Sequence, residues 1–417
     1  MHIDLNACFA ITEQQANPLL RGRPVGVTNR AGSEWATIIA PSYEAKRLGV
    51  RCGTRVDEAR RLAPGIVILE TDPPKYRYVH SVIKTIFNEY APVVTMKSID
   101  EGVLDFRSTT HLRAGKTLQD IGYEIKERVK EELGEWMTVN IGIGSNWFLA
   151  KLAASLNKPD CLDTIDANNL EGTYALSELT DLNGINRRFK ARLMLAGITT
   201  PLEFLYASQQ TLEKEVFRSI NGRHWYLRLR GYEVDDVRTS MRHVGKQYVL
   251  HNRTNDKNEL DQILYKLCYY ISRRLRQSDN SARGMELAMR YAPRPDDDFV
   301  LPGWRTRSCW QAPIYGVSDL YRRAQYLFSQ SPPDLTVSQF TLVSSHLQRR
   351  SFDQPALYET VVQSAQRVEQ ALQSVNDRYG ELTMVPARML GIEAYVPEKI
   401  AFGSTRYLLN EPTKLAP

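Results

Sequence analysis

Two short runs of strand-type residues meet at an acidic break near residue 100. Val93, Val94 and Met96 precede it, Val103 and Leu104 follow it, and Asp100 and Glu101 sit between them, with Gly102 offering the backbone freedom of a tight reversal. Residues 1–10 (MHIDLNACFA) read as a short buried strand that carries one acid, Asp4, and runs into Phe9. Further strands are predicted at 25–27, 35–40 and 138–144. Helical spacing of apolar residues predicts helices over 76–90 (Val79, Val82, Ile83, Ile86, Phe87) and 118–133 (Ile121, Ile125, Val129). A third helix, 147–156, ends before Lys158 and Pro159 and leaves Lys158 exposed. Short helices follow Ser42, a good N-cap, over 42–48, and again over 54–62. The fold class predicted is α+β: two helices on one face of a small, mostly antiparallel sheet. The glycines of 142–144 lack the spacing and the acid of a dinucleotide site.

Farther along, 179–198 carries two short helical pieces around Asn183, Gly184 and Ile185, followed by Arg187, Arg188, Lys190 and Arg192. A turn of that kind presents helix N-terminal amides and basic side chains to a DNA phosphate, although an ordinary helix–turn–helix corner has the same pattern. Residues 231–245 read as a linker. Beyond it, strand patterns at 245–250, 284–291 and 335–343 alternate with helical ones at 259–276 and 315–328, and with a strand-like piece between 291 and 315 the order is β, α, β, β-like, α, β. The Asp296, Asp297, Asp298 run is a polar loop with no ligand role. A helix is expected at 357–375, before an apolar stretch with Pro and Gly at 381–402.

Charge changes this picture in one place. The chain of 417 residues carries +6 overall, but residues 238–350 hold 18 Lys and Arg against 10 Asp and Glu, a net of +8, so the remainder sums to −2. That segment suits a phosphate backbone. The five cysteines (Cys8, Cys52, Cys161, Cys268, Cys309) are scattered and contain no CxxC pair, as expected of reduced, mostly buried thiols in a cytoplasmic protein rather than a disulfide or zinc framework. No apolar run approaches the roughly 18 residues of a membrane span.

The candidate chemistry lies with the acids. An isolated acid in an apolar strand needs a partner, and Asp4 with the distant Asp100 and Glu101 would supply the oxygen ligands of a two-metal site; a hydrogen-bonded structural Asp and a solvated turn are the plain alternatives. Tyr43 and Lys46 share one helix face and could hold a phosphate, or form a solvated face.

Six stretches in register, HIDLNACFA, NPLLRGRPVGV, SYEAKRLGVRCG, SIDEGVLD, GIGSNWFLAKLAASLNKPD and LNGINRRF, resemble those of Y-family translesion DNA polymerases of the DNA polymerase IV type, over about residues 1–347. The resemblance implies a multidomain right-hand fold. Its palm would be 1–10 and 75–165, its fingers 11–74, its thumb with a helix-hairpin-helix 166–232, a linker 233–240 and a DNA-binding little finger 241–347, leaving 348–417 as a tail of unknown role. It also implies template-directed DNA synthesis by a monomer, from deoxynucleoside triphosphates on primer-template DNA, with two Mg2+ ions per active site. Asp4, Asp100 and Glu101 match the catalytic, metal-binding carboxylates, with the carbonyl of Leu5 as a further ligand. Tyr43, Lys46 and Lys158 match the grip on the triphosphate, Phe9 matches the steric gate against a ribose 2′-hydroxyl, and Gly184, Asn186, Arg187 and Arg188 match the DNA-binding turn.

Some positions depart from the family. Lys46 stands where Arg is usual, replacing a bidentate phosphate contact by a point charge. Asn6 stands where Asp is common, Cys8 replaces an aromatic beside the gate, and Val103 replaces one after the acidic pair. Residues 348–352 (QRRSF) are a degraded version of a sliding-clamp peptide. Two other readings compete: a catalytically silent DNA-binding scaffold, which should have lost its carboxylates, and a palm-type nucleotide cyclase, which leaves the basic segment unexplained.

Overall fold

The structure, a computed structural model, describes residues 1–34, 36–109, 115–236, 241–292, 303–350, 360–379, 383–390 and 396. It divides into two compact units, one through Met1–Val237 and one through Arg238–Glu398.

In the first unit β1 (His2–Leu5) leads into α1 (Cys8–Ala16), followed by β2 (Val25–Thr28), β3 (Ile38–Pro41), α2 (Tyr43–Arg47), α3 (Val56–Leu62) and β4 (Val67–Glu70). Then come α4 (Pro73–Tyr90), β5 (Val93–Met96), β6 (Glu101–Asp105), α5 (Leu118–Leu133), β7 (Val139–Gly144), α6 (Trp147–Leu156) and β8 (Leu162–Ile165). β1 is the centre of a five-stranded sheet ordered β5-β6-β1-β7-β8, and β3-β2-β4 form a separate three-stranded sheet. All pairs of the larger sheet are antiparallel except β7 with β8, the one strand of it that the hydrophobic pattern did not reveal.

Alternation along the strands sorts the chemistry. Ile3, Leu5, Leu104, Ile141 and Ile143 share one core with Ile83, Ile86 and Phe87 of α4 and Ile121, Ile125 and Val129 of α5. The opposite face takes α6, which lies so close to β7 that a Cβ on Gly142 would come within 1.9 Å of the Ala150 carbonyl oxygen. His2, Asp4, Glu101 and Asn140 point to this second face.

Three expectations change. The opening strand stops at Leu5 and residues 8–10 are helical; seven of the nine α1 residues are buried, so there was no polar stripe to separate a buried helix from a strand. Gly102 is not a reversal but lies within β6, where a Cβ would stand 2.9 Å from the Phe87 ring. The strand expected at 35–40 is β3, shifted to Ile38–Pro41, and Trp35 is outside the described residues.

A small helical region completes this unit: α7 (Leu170–Ala175), a 3-10 turn Leu179–Asp181, α8 (Arg187–Leu195), α9 (Pro201–Tyr206), α10 (Gln209–Thr211), a π turn Leu212–Val216 and α11 (Asn221–Leu229). Its core includes Phe204, Phe217 and Trp225. The start of the expected linker is tied down here. The Asn146 amide donates to the carbonyls of Arg228 and Tyr232 at 2.8 and 2.9 Å, and Glu233 accepts from the Trp147 amide at 2.8 Å.

The second unit contains β9 (His243–Thr254), α12 (Lys257–Gln277), β10 (Asn280–Tyr291), β11 (Trp304–Ile314), α13 (Val317–Phe328), β12 (Val337–Arg349) and α14 (Thr360–Tyr379). Its antiparallel sheet is ordered β11-β10-β12-β9. The cross-strand row Trp304, Met289, Phe340, Tyr248 faces the core with α12 and α13, and the next row, Arg305, Ala288, Thr341, Gln247, faces away. Part of the tail is built into this unit: Met389 and Val396 enter its core, and Glu369 of α14 accepts from the Val317 amide and pairs with Arg276, both at 3.0 Å. The Asp296 to Asp298 run is outside the described residues.

All five cysteines are free, but only Cys8 and Cys268 are buried, and Cys52 and Cys309 are exposed, so the expectation of mostly buried thiols does not hold. No helix among the described residues is long and apolar enough to cross a membrane.

Candidate active site

Asp4 and Glu101 are direct cross-strand neighbours in the β1–β6 ladder, and the Leu5 amide donates to the Asp100 carbonyl oxygen at 2.9 Å. Residues nearly a hundred positions apart therefore meet at one end of the α6 face. Each carboxylate has a different partner. Lys158, just past α6, pairs with Asp4. Lys151 of α6 holds Glu101 at 2.7 Å, with the His2 imidazole at 3.5 Å. Among the described residues the Asp100 carboxylate is met by the Ser98 hydroxyl.

These surroundings separate the acids electrically. Burial alone would raise the Glu101 carboxyl, but the His2 ring and the Lys151 ammonium bring it down to about 2. Asp100 goes the other way: burial lifts it most, the Ser98 hydrogen bond opposes, and the charges of Asp4 and Glu101 add to the rise, to about 6. Asp100 is thus a buried carboxylate among like charges. A carboxyl whose pKa is raised on folding opposes folding when ionised, so this cost is present above about pH 6 and fades as pH falls toward its ordinary 3.8. Asp100→Asn should therefore stabilise the metal-free protein by about 2 kcal/mol at neutral pH, in a denaturant titration with EDTA, and the gain should shrink below about pH 6. Equal midpoints for the two proteins would contradict the shift.

The donor set suits a hard divalent cation: three carboxylates and a nearby backbone carbonyl, all oxygen. The carboxylates do not converge as they stand, since Lys158 and Lys151 occupy two of them, and among the described residues no group of three or more His, Cys, Asp and Glu is poised around one point.

Tyr43 and Lys46 flank the same site. Ser42 caps α2 by accepting from the Ala45 amide at 3.3 Å and also accepts from the Val25 amide at 3.1 Å, which locks the helix start to β2. Lys46 then lies over the Tyr43 ring, its Nζ 4.3 Å from the centroid. Burial and the neighbouring charge of Lys158 both lower the Lys46 pKa. The Tyr43 hydroxyl donates at 3.0 Å to Asn6, which donates in turn to Thr138 at 2.9 Å. The departure at Asn6 is thereby explained as one link in a buried hydrogen-bond chain.

Phe9 is 1% exposed and stacks on Tyr76, centroids 4.0 Å apart and planes at 6°. It borders a cavity of about 220 Å3 with Ala40, Lys46, Arg51, Cys52 and Asp100. Beside it Ala7 holds a left-handed backbone, φ 43, a strained conformation for a residue with a Cβ.

In the helical region Gly184 takes φ +104 between the 3-10 turn and α8, and Arg187 and Arg188 are exposed. Asn186 differs from expectation. Its side chain accepts from the Arg188 and Phe189 amides at 3.1 and 3.2 Å, so two of the helix N-terminal donors expected to meet phosphate are already taken.

Sequence reasoning missed Lys151, His2 and Ser98, the groups that hold the acids. Lys151 had a legible signal, since it is the only charge in the otherwise apolar run WFLAKLAASL and had to find a partner. His2 and Ser98 had none.

Residues 3–155 match the impB/mucB/samB family, and residues 242–357 match the C-terminal domain of that family. DNA polymerase IV of Moorella thermoacetica is 30% identical over 386 residues, covering 91% of this chain and 92% of that protein. DNA polymerase IV 1 of Bacillus subtilis is 27% identical over 392 residues, 91% and 90% of the two. A solved structure, a Y-family DNA polymerase chimera of Dbh and Dpo4, shares the fold with a TM-score of 0.70 at 21% identity, over 84% of this chain and 98% of that one. With Asp4 and Glu101 paired across its central strands and family matches over both halves, the chain belongs to the DNA polymerase IV family of Y-family polymerases.

Proposed function

We propose that the α6 face of the larger sheet is the active site, with Asp4, Asp100 and Glu101 and the Leu5 carbonyl as ligands for two Mg2+ ions. A Y-family polymerase is a DNA-directed DNA polymerase, a nucleotidyltransferase acting in translesion synthesis, and this chain is one. The observation that carries the site assignment is the direct opposition of Asp4 and Glu101 across the β1–β6 ladder, with Asp100 brought alongside by the Leu5 amide's hydrogen bond to its carbonyl oxygen.

Bound there, two Mg2+ ions would activate a primer 3′-hydroxyl and neutralise charge developing on the phosphates. The protein's own groups do the rest. Lys158 and Lys46 supply positive charge for the triphosphate, and release of Asp4 by Lys158 frees an oxygen ligand as the lysine turns to phosphate. Tyr43, pinned through Asn6, fixes the wall of the pocket. Phe9, bordering the cavity with Asp100 and Lys46, would sit under the sugar and exclude a 2′-hydroxyl. Primer extension by the purified chain with Mg2+ and deoxynucleotides tests the reading; no extension would sink it. A silent scaffold is not favoured, because all three carboxylates are present.

The palm, fingers, thumb and little finger boundaries given above are the proposed division of the chain. DNA would be gripped by the turn from Gly184 to Arg188 and by the open face of the second unit's sheet, where Arg305 and Arg307 are exposed in alternation. Replacing both by Ala should weaken DNA binding on any sequence and reduce the slope of log affinity against log salt by about 2. An unchanged slope would remove this face from the interface. A sliding-clamp contact through residues 348–352 would have to begin inside a paired strand, because Gln348 and Arg349 belong to β12 opposite Ser281 and Asn280, and it forms no part of the reading.

A further inference from the structure

Lys126 is the one lysine of α5 that is buried, 7% exposed, and no step of the chemistry above uses it. A buried ammonium must be fully bonded to be tolerated. Its partners are specific: Nζ donates at 2.6 Å to the backbone carbonyl of Asp160 and pairs at 2.9 Å with the Asp160 carboxylate. Asp160 takes φ 53, two residues after Lys158, in the turn that joins α6 to β8.

The helix reaches this turn because of a glycine one turn earlier. At Gly122 a Cβ would come within 2.6 Å of Leu162, so α5 lies unusually close to the start of β8, and residue 126, four positions on and on the same face, arrives at the turn. The turn is held on its other sides as well. Asn157 donates to Asp163 at 2.8 Å, and the Ile141 amide donates to the Cys161 carbonyl at 2.9 Å. Lys158 alone among these residues points out of the turn to Asp4.

We propose that Lys126 is a positioning residue for Lys158: by clamping Asp160 from inside α5 it fixes the turn that delivers the Lys158 ammonium to the triphosphate. The inference rests on the reading of Lys158 as a triphosphate ligand. Holding the turn's backbone fixes where the lysine's four-carbon stem starts, so that only its side-chain rotamers remain to be searched. Loss of the clamp would act on nucleotide affinity first and leave DNA affinity alone.

Lys126→Met tests this in the full chain. Met fills the volume of the buried lysine stem, and Asp160, 36% exposed at its side chain, stays hydrated when the ammonium is gone, so the variant should fold. Single-nucleotide insertion should show KM for the deoxynucleotide raised roughly tenfold with little change in the DNA dissociation constant, and peptide-level hydrogen exchange should quicken across 157–161. Asp160→Ala should do less, since the backbone carbonyl still accepts. In a Lys158→Ala background, which raises KM by itself, Lys126→Met should add almost nothing. Unaltered exchange over 157–161 overturns the clamp. So does an additive KM effect in the double variant, which would mean Lys126 acts by another route. If Lys158→Ala leaves KM unchanged, the triphosphate reading of Lys158 has failed and the exchange result alone decides whether the clamp stands.

Discussion

Primer extension by the Asp100→Ala, Glu101→Ala double variant should fall by roughly 10^4-fold, the equivalent of about 5 kcal/mol of transition-state stabilisation. The two changes remove different things. Asp100 is a carboxylate held up to about 6 by burial and by its acidic neighbours. Glu101 is held down to about 2 against its burial, by the His2 ring and Lys151. Taking Glu101 away leaves Lys151 and His2 facing each other without an anion, so the variant should also lose stability, and the assay belongs well below its measured melting temperature. Its circular dichroism and its DNA affinity should match the parent. Undiminished extension would remove these residues from the active site, whatever the fold.

Phe9→Ala should raise the use of ribonucleotides on the order of 10²-fold relative to deoxynucleotides, leaving deoxynucleotide extension largely intact. The physical basis is exclusion of one hydroxyl by a rigid ring, and rigidity is what the structure adds. Phe9 stacks on Tyr76, whose hydroxyl donates to Glu13 at 2.8 Å, and Glu13 also takes Lys75 at 2.6 Å, so the ring cannot tilt away from the cavity it borders. The same packing gives the truncation a cost of about 3–5 kcal/mol, since Phe9 is fully buried and its removal leaves a hole beside Tyr76. Phe9→Leu, which fills most of that hole, should show a smaller selectivity change at lower cost. Competition between the two sugars at single-nucleotide insertion is the measurement, and unchanged selectivity in both variants would rule out a gate at this position.

The two effects differ in kind. On the proposed assignment the acidic pair would govern whether the reaction proceeds and Phe9 which sugar it accepts, so one should appear in kcat and the other in a ratio of kcat/KM values.

Much of the chain was legible before folding because its signals are local. Helices over 118–133 and 147–156 coincide with their apolar spacing, Ser42 caps α2 as its residue type predicts, and both helices and three of the four strands of the basic segment fall where their patterns were read, β11 being expected only as a strand-like piece without a range. The acids themselves were visible as polar residues that interrupt apolar runs. Local signals failed where both faces of an element are buried, as in α1, which alternation could not tell from a strand, and where a glycine serves packing, as Gly102 does beneath Phe87. Tertiary structure alone decided which side chains meet. That Asp4 opposes Glu101, that Lys151 and Lys158 claim two of the three acids, and that Lys126 reaches Asp160 depend on strand register and on how closely α5 and α6 approach the sheet. Those contacts join positions from about thirty to more than one hundred and fifty residues apart, and a pairing at such separation is set by the closing of the core, a free energy summed over all of it, which no single stretch of sequence carries.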